Sequence, residues 1–493
     1  MVLPSLQRGS PRYGQVGDHS PCEAAVAIEL ATPEADNVFW DEMQHLCYLA
    51  PPVMLTYVLG FLPGVVSLII VGHSDAADVQ LVLGAASLAD MYFNVTGYSI
   101  GLGLASAMDT LCSQAYGAGN LLRIGVVLQS GLLVLSVLFF PILLLHLFAT
   151  DLLLALHQPE GVAVLAGAYA RWLVLGLPFA FIYELLKKTL QAQNVALPMV
   201  YSTLVGNAVN AVVGYVLVHH SAYGFLGAAI GRSAANIAQP LCLGVYYWWH
   251  PNARAFWPGW NWRCAAAGVG EFLVYGAPGM LMMMFEWCSF EFIAILSGLL
   301  PNPIVSIGAN AITINVYAVL DWLYYGIAVS ATVRVGNAIG SNDPMRAKIA
   351  LKAVLVAAAC FATLLMGLLY FARHTYPRVF TRDSAIASLA SEVGLVVVAF
   401  QLPQAINQTT QGILRGCGLQ GKGAAINFVA YLIVGLPLGY ALAFPWQLDL
   451  PGLWIGMVFA FLTAATIGLG LLKCASIDRI SDKAVAVAKT ARS

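Results

Sequence analysis

The chain has 493 residues, 60% of them hydrophobic and only 10% charged, with a net charge of −1 and a mean hydropathy of +0.78. Soluble domains carry about 25% charged residues, so a soluble globular protein is excluded, and near-neutrality leaves no basic footprint for nucleic acid. What remains is an all-α polytopic membrane protein, because a helix satisfies its own backbone hydrogen bonds in lipid.

Residues 1–43 are polar, with Pro, Gly and Ser, and predict a disordered cytoplasmic tail with no cleavable signal. A membrane span needs about 20 apolar residues. Twelve runs in the chain satisfy that requirement. Six begin near His45, Leu81, Ile124, Val162, Ala196 and Gly224 and predict an N-lobe over 44–249. A Trp- and Arg-bearing cytoplasmic linker, 250–264, follows. Six more spans begin near Ala265, Ile304, Ala350, Ile386, Ala424 and Gly452 and predict a C-lobe over 265–473, before a cytoplasmic tail at 474–493. Alternate loops hold Arg123; Lys187 and Lys188; Arg254 and Arg263; Arg334, Arg346 and Lys348; and Arg415 and Lys422. The positive-inside rule puts those loops and both termini in the cytoplasm. The opposite loops are nearly free of Lys and Arg, apart from Arg373, Arg378 and Arg382. The expected location is the plasma membrane or a vacuolar membrane.

Charges inside spans are the candidates for function, since a carboxylate at a helix centre costs roughly 2.5–3.5 kcal/mol on insertion scales. Glu286 and Glu291 lie in an otherwise uncharged run, Gly276 to Leu300. Five residues on a helix is about 140° of rotation and about 7.5 Å of rise, so the two do not share a face unless Pro278 bends the helix. Glu286 is the expected coupling carboxylate: a proton and a cationic substrate would compete for it. Tyr317 and Asp321 are four apart and share a face. Asp321 is either a second acid opposite Glu286 or an interfacial span-end residue. Gln404, Asn407, Gln408 and Gln411 form a polar tract, of which Gln404, Asn407 and Gln411 share a face by 3–4 spacing and either line the substrate cavity or bond helix to helix. Trp287 and Tyr317 are candidates to stack on a flat cation. Asn207 and Asn210 are candidates to line the N-lobe side of the cavity. Asp90 and Glu184 are embedded acids, Arg171 and Arg232 embedded bases, and mutual pairing is their expected role. Asp109, Arg334, Arg415 and Lys422 read as span-end residues that cap helices and set topology. The cysteines, 9 in all, are scattered without a CxxC pair and read as buried hydrophobes, so no metal site is expected. No GxSxG or HExxH signature points to an enzyme.

The two halves repeat. Gln114-Ala-Tyr-Gly117 aligns with Asn337-Ala-Ile-Gly340, and Leu190-Gln-Ala-Gln-Asn194 with Leu414-Arg-Gly-Cys-Gly418, at offsets of 223 to 224 residues. An even number of spans per half gives parallel repeats with a cavity between the lobes, an arrangement suited to alternating access.

These segments resemble the multidrug and toxic compound extrusion (MATE) family of secondary transporters, eukaryotic members most. The resemblance rests on Gly72-His-Ser, Asn94-Val-Thr-Gly97, Gly103-Leu-Ala-Ser-Ala-Met-Asp109, Leu190 to Pro198, Val333-Arg334-Val-Gly-Asn337 and Gly412-Ile-Leu-Arg415-Gly-Cys-Gly418, in order on the expected spans. It implies a twelve-helix core of two six-helix lobes and export of organic solutes, often cations, in exchange for protons or sodium. It also implies that Glu286 is the family's glutamate of the seventh helix and Glu291 a second eukaryotic one. The chain departs from some members in three places. The first span around Pro51-Pro52 has no acid, Gly214 stands where some prokaryotic members have aspartate, and Gln404 stands where some animal members have glutamate. The missing N-lobe acids favour protons over sodium. The expectation is therefore a monomeric antiporter of small organic cations, drugs or amphiphilic metabolites, needing no cofactor beyond the coupling proton. Its partners are small organic substrates and the lipid bilayer. The alternatives are an organic-anion exporter of the same fold and a lipid flippase.

Overall fold

A computed structural model describes residues 33–482, apart from 75 and 77. The N-lobe begins with α1 (Pro33–Gly72) and α2, which runs through Val79–Phe93, a π-helical turn Asn94–Tyr98, Ser99–Ala105 and Ala107–Gly117. It continues with α3 (Leu121–Leu147), α4 (Glu160–Leu173, a 3-10 turn Val174–Gly176, then Leu177–Ala192), α5 (Leu197–His220) and α6 (Leu226–Trp249). The C-lobe comprises α7 (Trp262–Ser297), α8 (Pro303–Gly340), α9 (Pro344–Ala372), α10 (Ser384–Gly416), α11 (Gln420–Asn427, a π-helical segment Phe428–Gly435, Leu436–Ala443) and α12 (Asp449–Cys474). Ten of these are long and apolar enough to cross a membrane. The other two are α2, broken at Ser106, and α6, which carries Arg232, Asn236 and Gln239. Together they make the expected twelve.

Two boundaries differ from expectation. The first helix starts at Pro33, well before residue 44, because its first turns have partners: Glu42 receives hydrogen bonds from both Arg334 and Arg346. At the other end, helix 477–482 follows α12, with Ile477 and Ser481 buried and the Ser481 hydroxyl donating to the Ile339 carbonyl at 3.0 Å. The predicted tail segments 1–32 and 483–493 lie outside the described residues. Both described chain ends therefore sit on one face, here called the terminal face. The linker between Trp249 and Trp262 straps this face to α3, through Gln129 Nε2 to the Gly259 carbonyl and the Asn261 amide to Gln129 Oε1, each at 2.8 Å.

The lobes meet at the terminal face through contacts that obey the repeat. Gln114 of α2 donates to the Gly416 carbonyl at the end of α10, 3.0 Å away. Its counterpart Asn337 of α8 donates to the Ala192 carbonyl at the end of α4, 3.4 Å away. Gly117 and Gly340 let these helix ends touch backbone to backbone. A Cβ on Gly117 would lie 2.1 Å from the Asn337 carbonyl oxygen, and one on Gly340 would lie 2.1 Å from that of Gln114. Arg334 adds a bidentate pair with Glu42 at 2.7 and 2.8 Å, and Arg123 of α3 pairs with Glu271 of α7 at 2.6 Å. The terminal face is closed. Within the N-lobe, Gly214 and Gly231 place α5 and α6 in close contact: a Cβ on Gly231 would meet the Gly214 nitrogen at 2.6 Å. A Cβ at position 214 itself would meet only ordinary contacts, Ile70 Cδ1 at 3.4 Å and the Ala228 Cα at 3.9 Å.

Candidate functional site

Helix α7 is unbroken at Pro278, so Glu286 and Glu291 stay on separate faces. They enter two different compartments. Glu286, 7% exposed, turns into the C-lobe, where its Oε1 accepts from the Tyr317 hydroxyl at 3.3 Å and from Gln408 Nε2 at 3.1 Å. The same Gln408 nitrogen donates to Asp321 Oδ1 at 2.9 Å, and Gln404 Nε2 donates to that oxygen at 2.9 Å. One amide thus holds two carboxylates. Below it, Gln411 donates to Asn427 (2.7 Å) and Asn407 (3.3 Å), Asn407 to Tyr431 (3.1 Å), and Asn427 to the Met282 carbonyl (2.9 Å). These bonds tie α7, α8, α10 and α11 into one polar core. Aromatic packing seals its outer side, with Tyr317 4.3 Å from Phe290 between ring centroids and further rings from Phe400, Trp454 and Phe461.

Glu291 turns the other way, into a cavity of about 380 Å³ between the lobes. Among the described residues no group hydrogen-bonds or ion-pairs with its carboxylate. Trp287, Tyr317, Asp321 and Trp322 complete the C-lobe wall, and Trp287 meets Trp322 edge-on at 6.3 Å. Asp321 lines both this cavity and the small cleft that holds Glu286. The N-lobe wall carries Tyr57, Glu184, Lys187, Asp90 and Arg232. Its charges are paired within the lobe: Lys187–Glu184 at 2.5 Å and Arg232–Asp90 at 2.7 Å. Among the described residues that line this cavity, the C-lobe side has acids and no base; Arg415 lines the small cleft beside Glu286.

Several expectations need correction. Asn207 and Asn210 do not line the cavity: their amides donate to the α1 carbonyls of Leu59 and Pro63, at 2.9 and 3.0 Å, and hold α5 against the proline-bearing α1. Arg171 is exposed and bonds Thr150 rather than an acid, and Glu184 takes Lys187 as its partner. Lys187 and Lys188 are not loop residues. Both lie inside α4, 2% and 1% exposed, and Lys188 pairs with Asp109 at 2.6 Å. A Lys-Lys dipeptide four residues before the end of a helix reads as a loop charge; only the facing acids Glu184 and Asp109 reveal otherwise. Nor are Asp109, Arg334 and Arg415 simple caps, since all three are buried between helices, Arg415 with its guanidinium 5.1 Å from the Tyr325 ring centre. Gln408 belongs to the polar tract but not to the face expected to carry its function, and it is the amide that joins the two acids. Its signal was present, because Gln404, Gln408 and Gln411 lie at i, i+4 and i+7, one helical face.

The Lys188–Asp109 pair supports a prediction. Removing one partner of a buried ion pair leaves an uncompensated charge and costs about 3–5 kcal/mol, whereas neutral replacement of both is often tolerated. Lys188→Met is expected to lower the melting temperature of the detergent-purified protein markedly, and Asp109→Asn/Lys188→Met to recover most of the loss. Equal loss in both variants would show that the pair acts by something other than charge compensation.

Comparison with known proteins gives a consistent set of matches. The MatE family profile matches residues 52–216 and 278–441, one segment in each lobe. Multidrug and toxin extrusion protein 1 of Mus musculus is 36% identical over 420 residues, 85% of this chain and 73% of that protein. The Homo sapiens protein of the same name is 34% identical over 436 residues, 88% of this chain and 75% of that protein. Multidrug and toxin extrusion protein 2 of Oryctolagus cuniculus is 36% identical over 427 residues, 87% and 70%. The crystal structure of the eukaryotic MATE transporter AtDTX14 superposes with a TM-score of 0.86 at 27% identity, over 92% of this chain and all of that one (100%). An outward-facing MATE family transporter of the MOP superfamily shares the fold, with a TM-score of 0.78 at 16% identity, over 90% of this chain and 97% of that one.

Proposed function

The chain belongs to the MatE family of multi-pass membrane transporters, and on that premise we propose that it is a proton-coupled antiporter that exports organic cations, drugs or amphiphilic metabolites by alternating access. The observation that carries this reading is Gln408, whose one amide nitrogen joins Asp321, on the cavity wall, to Glu286, shut away from it. An organic cation entering the cavity meets Glu291 and Asp321, with the Trp287 and Trp322 rings beside them. Its charge stabilises the ionised form of Asp321 and, through the shared amide, of Glu286, so a proton leaves as the cation arrives. The reverse exchange discharges the cation when protons return. The two events use one pair of acids, which is what obligatory exchange needs.

Closure at the terminal face corresponds to the substrate-releasing conformation if that face is cytoplasmic, as the distribution of Lys and Arg favours. The transporter then acts as a monomer in the plasma membrane or a vacuolar membrane and takes no cofactor other than the proton. Protons are favoured over sodium because the acids of the N-lobe wall are already paired with Lys187 and Arg232. The same pairing argues against a purely anionic cargo, which would face Glu291 and Asp321 without a free cation opposite.

The test is uptake of a fluorescent organic cation into proteoliposomes under an imposed pH gradient, with and without sodium. Gradient-driven uptake indifferent to sodium is the expected result. Uptake that follows a sodium gradient at constant pH would overturn the coupling, and no uptake of any organic cation would overturn the substrate class.

A further inference from the structure

The connection between α9 and α10 carries three arginines that neither the closed terminal face nor the exchange mechanism uses. Helix α9 leaves the terminal face at Pro344 and α10 returns to it at Gly416, so this connection lies on the opposite face, whose other loops are nearly free of Lys and Arg. Three cations there run against the positive-inside pattern. They gather round a cavity of about 710 Å³ lined by Arg373, Arg378 and Arg382, with His374, Asp383 and Glu392. The surrounding chain is held in place. A short helix, Tyr376–Phe380, is pinned to α10 by the Tyr376 hydroxyl, which donates to the Ala390 carbonyl at 3.0 Å, and His374 Nδ1 shares a hydrogen bond with the Ser391 hydroxyl at 2.6 Å. Arg373 lies over the Tyr370 ring, 4.1 Å from its centre, and donates Nη1 to the Tyr370 carbonyl at 3.2 Å. Arg378 and Arg382 have no acceptor among the described residues. Asp383 is occupied in capping α10, through the Ala385 and Ile386 amides. That leaves Glu392 against three guanidiniums.

The depth of the cavity suits a lipid headgroup. Helix α9 has 29 residues, about 43 Å at 1.5 Å each, which matches the ~40–45 Å of a bilayer with its headgroups. Its last turn and the arginines beside it therefore stand at headgroup level. Next to them Phe371 and Val379 are 83% and 80% exposed, and Phe380 is exposed too. Apolar surface of that kind marks a membrane contact. The anion found at this depth is a phosphodiester, and the guanidinium fork matches its oxygens. We propose that this cavity is a binding site for the phosphodiester headgroup of an anionic membrane phospholipid, with Arg378 and Arg382 on the phosphate and Phe371, Val379 and Phe380 against the acyl chains. A zwitterionic phospholipid offers the same phosphate but brings an ammonium with it, so its net attraction to three guanidiniums is smaller. A soluble phosphate ester offers the charge without the chains.

The test is native mass spectrometry of the purified full chain in detergent micelles, titrated with phosphatidylglycerol or phosphatidylcholine. A single tight adduct is expected with phosphatidylglycerol, and a weaker one with phosphatidylcholine. Arg378→Gln/Arg382→Gln is expected to weaken the phosphatidylglycerol adduct at least about tenfold, the loss of charge-assisted contacts to phosphate. Glu392→Gln is expected to strengthen it, by removing the carboxylate that opposes the headgroup. All three side chains are exposed, so folding is not at stake. Arg254→Gln/Arg479→Gln makes the same change of charge at exposed arginines of the terminal face and is expected to leave the adduct unchanged. Equal weakening in both double variants would mean that binding follows net charge alone, and would overturn the site. So would an adduct that is indifferent to Arg378→Gln/Arg382→Gln, or the absence of one. Glycerophosphoglycerol, the same headgroup without acyl chains, is expected not to displace the lipid at equal concentration; if it does, the site takes free phosphate esters and the lipid assignment falls.

Discussion

Glu286→Gln is expected to reduce pH-driven uptake to the level of protein-free liposomes while leaving a folded, monodisperse protein. The fold survives because the amide oxygen of glutamine can accept the same two hydrogen bonds that Glu286 Oε1 accepts, from Tyr317 and Gln408. What is lost is the ability to alternate between a charged and a neutral state. Two carboxylate oxygens on one amide nitrogen lie at most ~6 Å apart, where two charges at an effective dielectric near 20 interact by roughly 3 kcal/mol, about a hundredfold in occupancy. That is the coupling between a cation at Asp321 and a proton at Glu286, and glutamine removes it. Asp321→Asn tests the other end of the same link and is expected to weaken both cation affinity and the response to the gradient. Wild-type rates of gradient-driven uptake in Glu286→Gln would overturn the assignment of Glu286 as the coupling acid.

Gly340→Ala is expected to destabilise the closed terminal face selectively. The added methyl would stand 2.1 Å from the Gln114 carbonyl oxygen and 2.8 Å from its carbon, and both are backbone atoms that cannot rotate away. Overpacking of this kind costs about 1–3 kcal/mol, which shifts a two-state equilibrium roughly 5- to 150-fold. A conformation in which the lobes separate at this face does not bear that cost, so the molecule moves toward it rather than unfolding. Thr110→Cys provides the readout. Thr110 is fully buried between the lobes, where its hydroxyl donates to the Arg415 carbonyl. With the exposed cysteines Cys47, Cys264, Cys360 and Cys474 replaced by serine, a thiol there should react slowly with a membrane-impermeant maleimide applied to the terminal face, and faster once Gly340→Ala is added, while transport falls. Gly117→Ala, the repeat-related change, should behave alike. Unchanged labelling in both would mean that the closed face does not depend on this backbone contact.

The sequence by itself determined the membrane class, the twelve spans, the two-lobe repeat and the embedded acids. These are properties of local composition: a long apolar run has few alternatives in lipid, and a charge inside one stands out against it. Helical geometry also separated Glu286 from Glu291, because five residues cannot share a face on an unbroken helix. Side-chain partners were a different matter. That Asn207 and Asn210 face α1 instead of the cavity follows from which carbonyls α5 meets, and spacing along α5 does not contain that. Lys187 and Lys188 read as loop charges until Glu184 on the same helix and Asp109 on α2 are brought beside them. Gln408 was one of four amides in a polar tract, and only the approach of α7 and α8 to α10 made it the one that touches both Glu286 and Asp321. The reason is common to all three. Periodicity records which residues share a helix face, whereas the chemistry of a buried polar group is set by what the neighbouring helices place against that face, and only the packing of the twelve helices decides it.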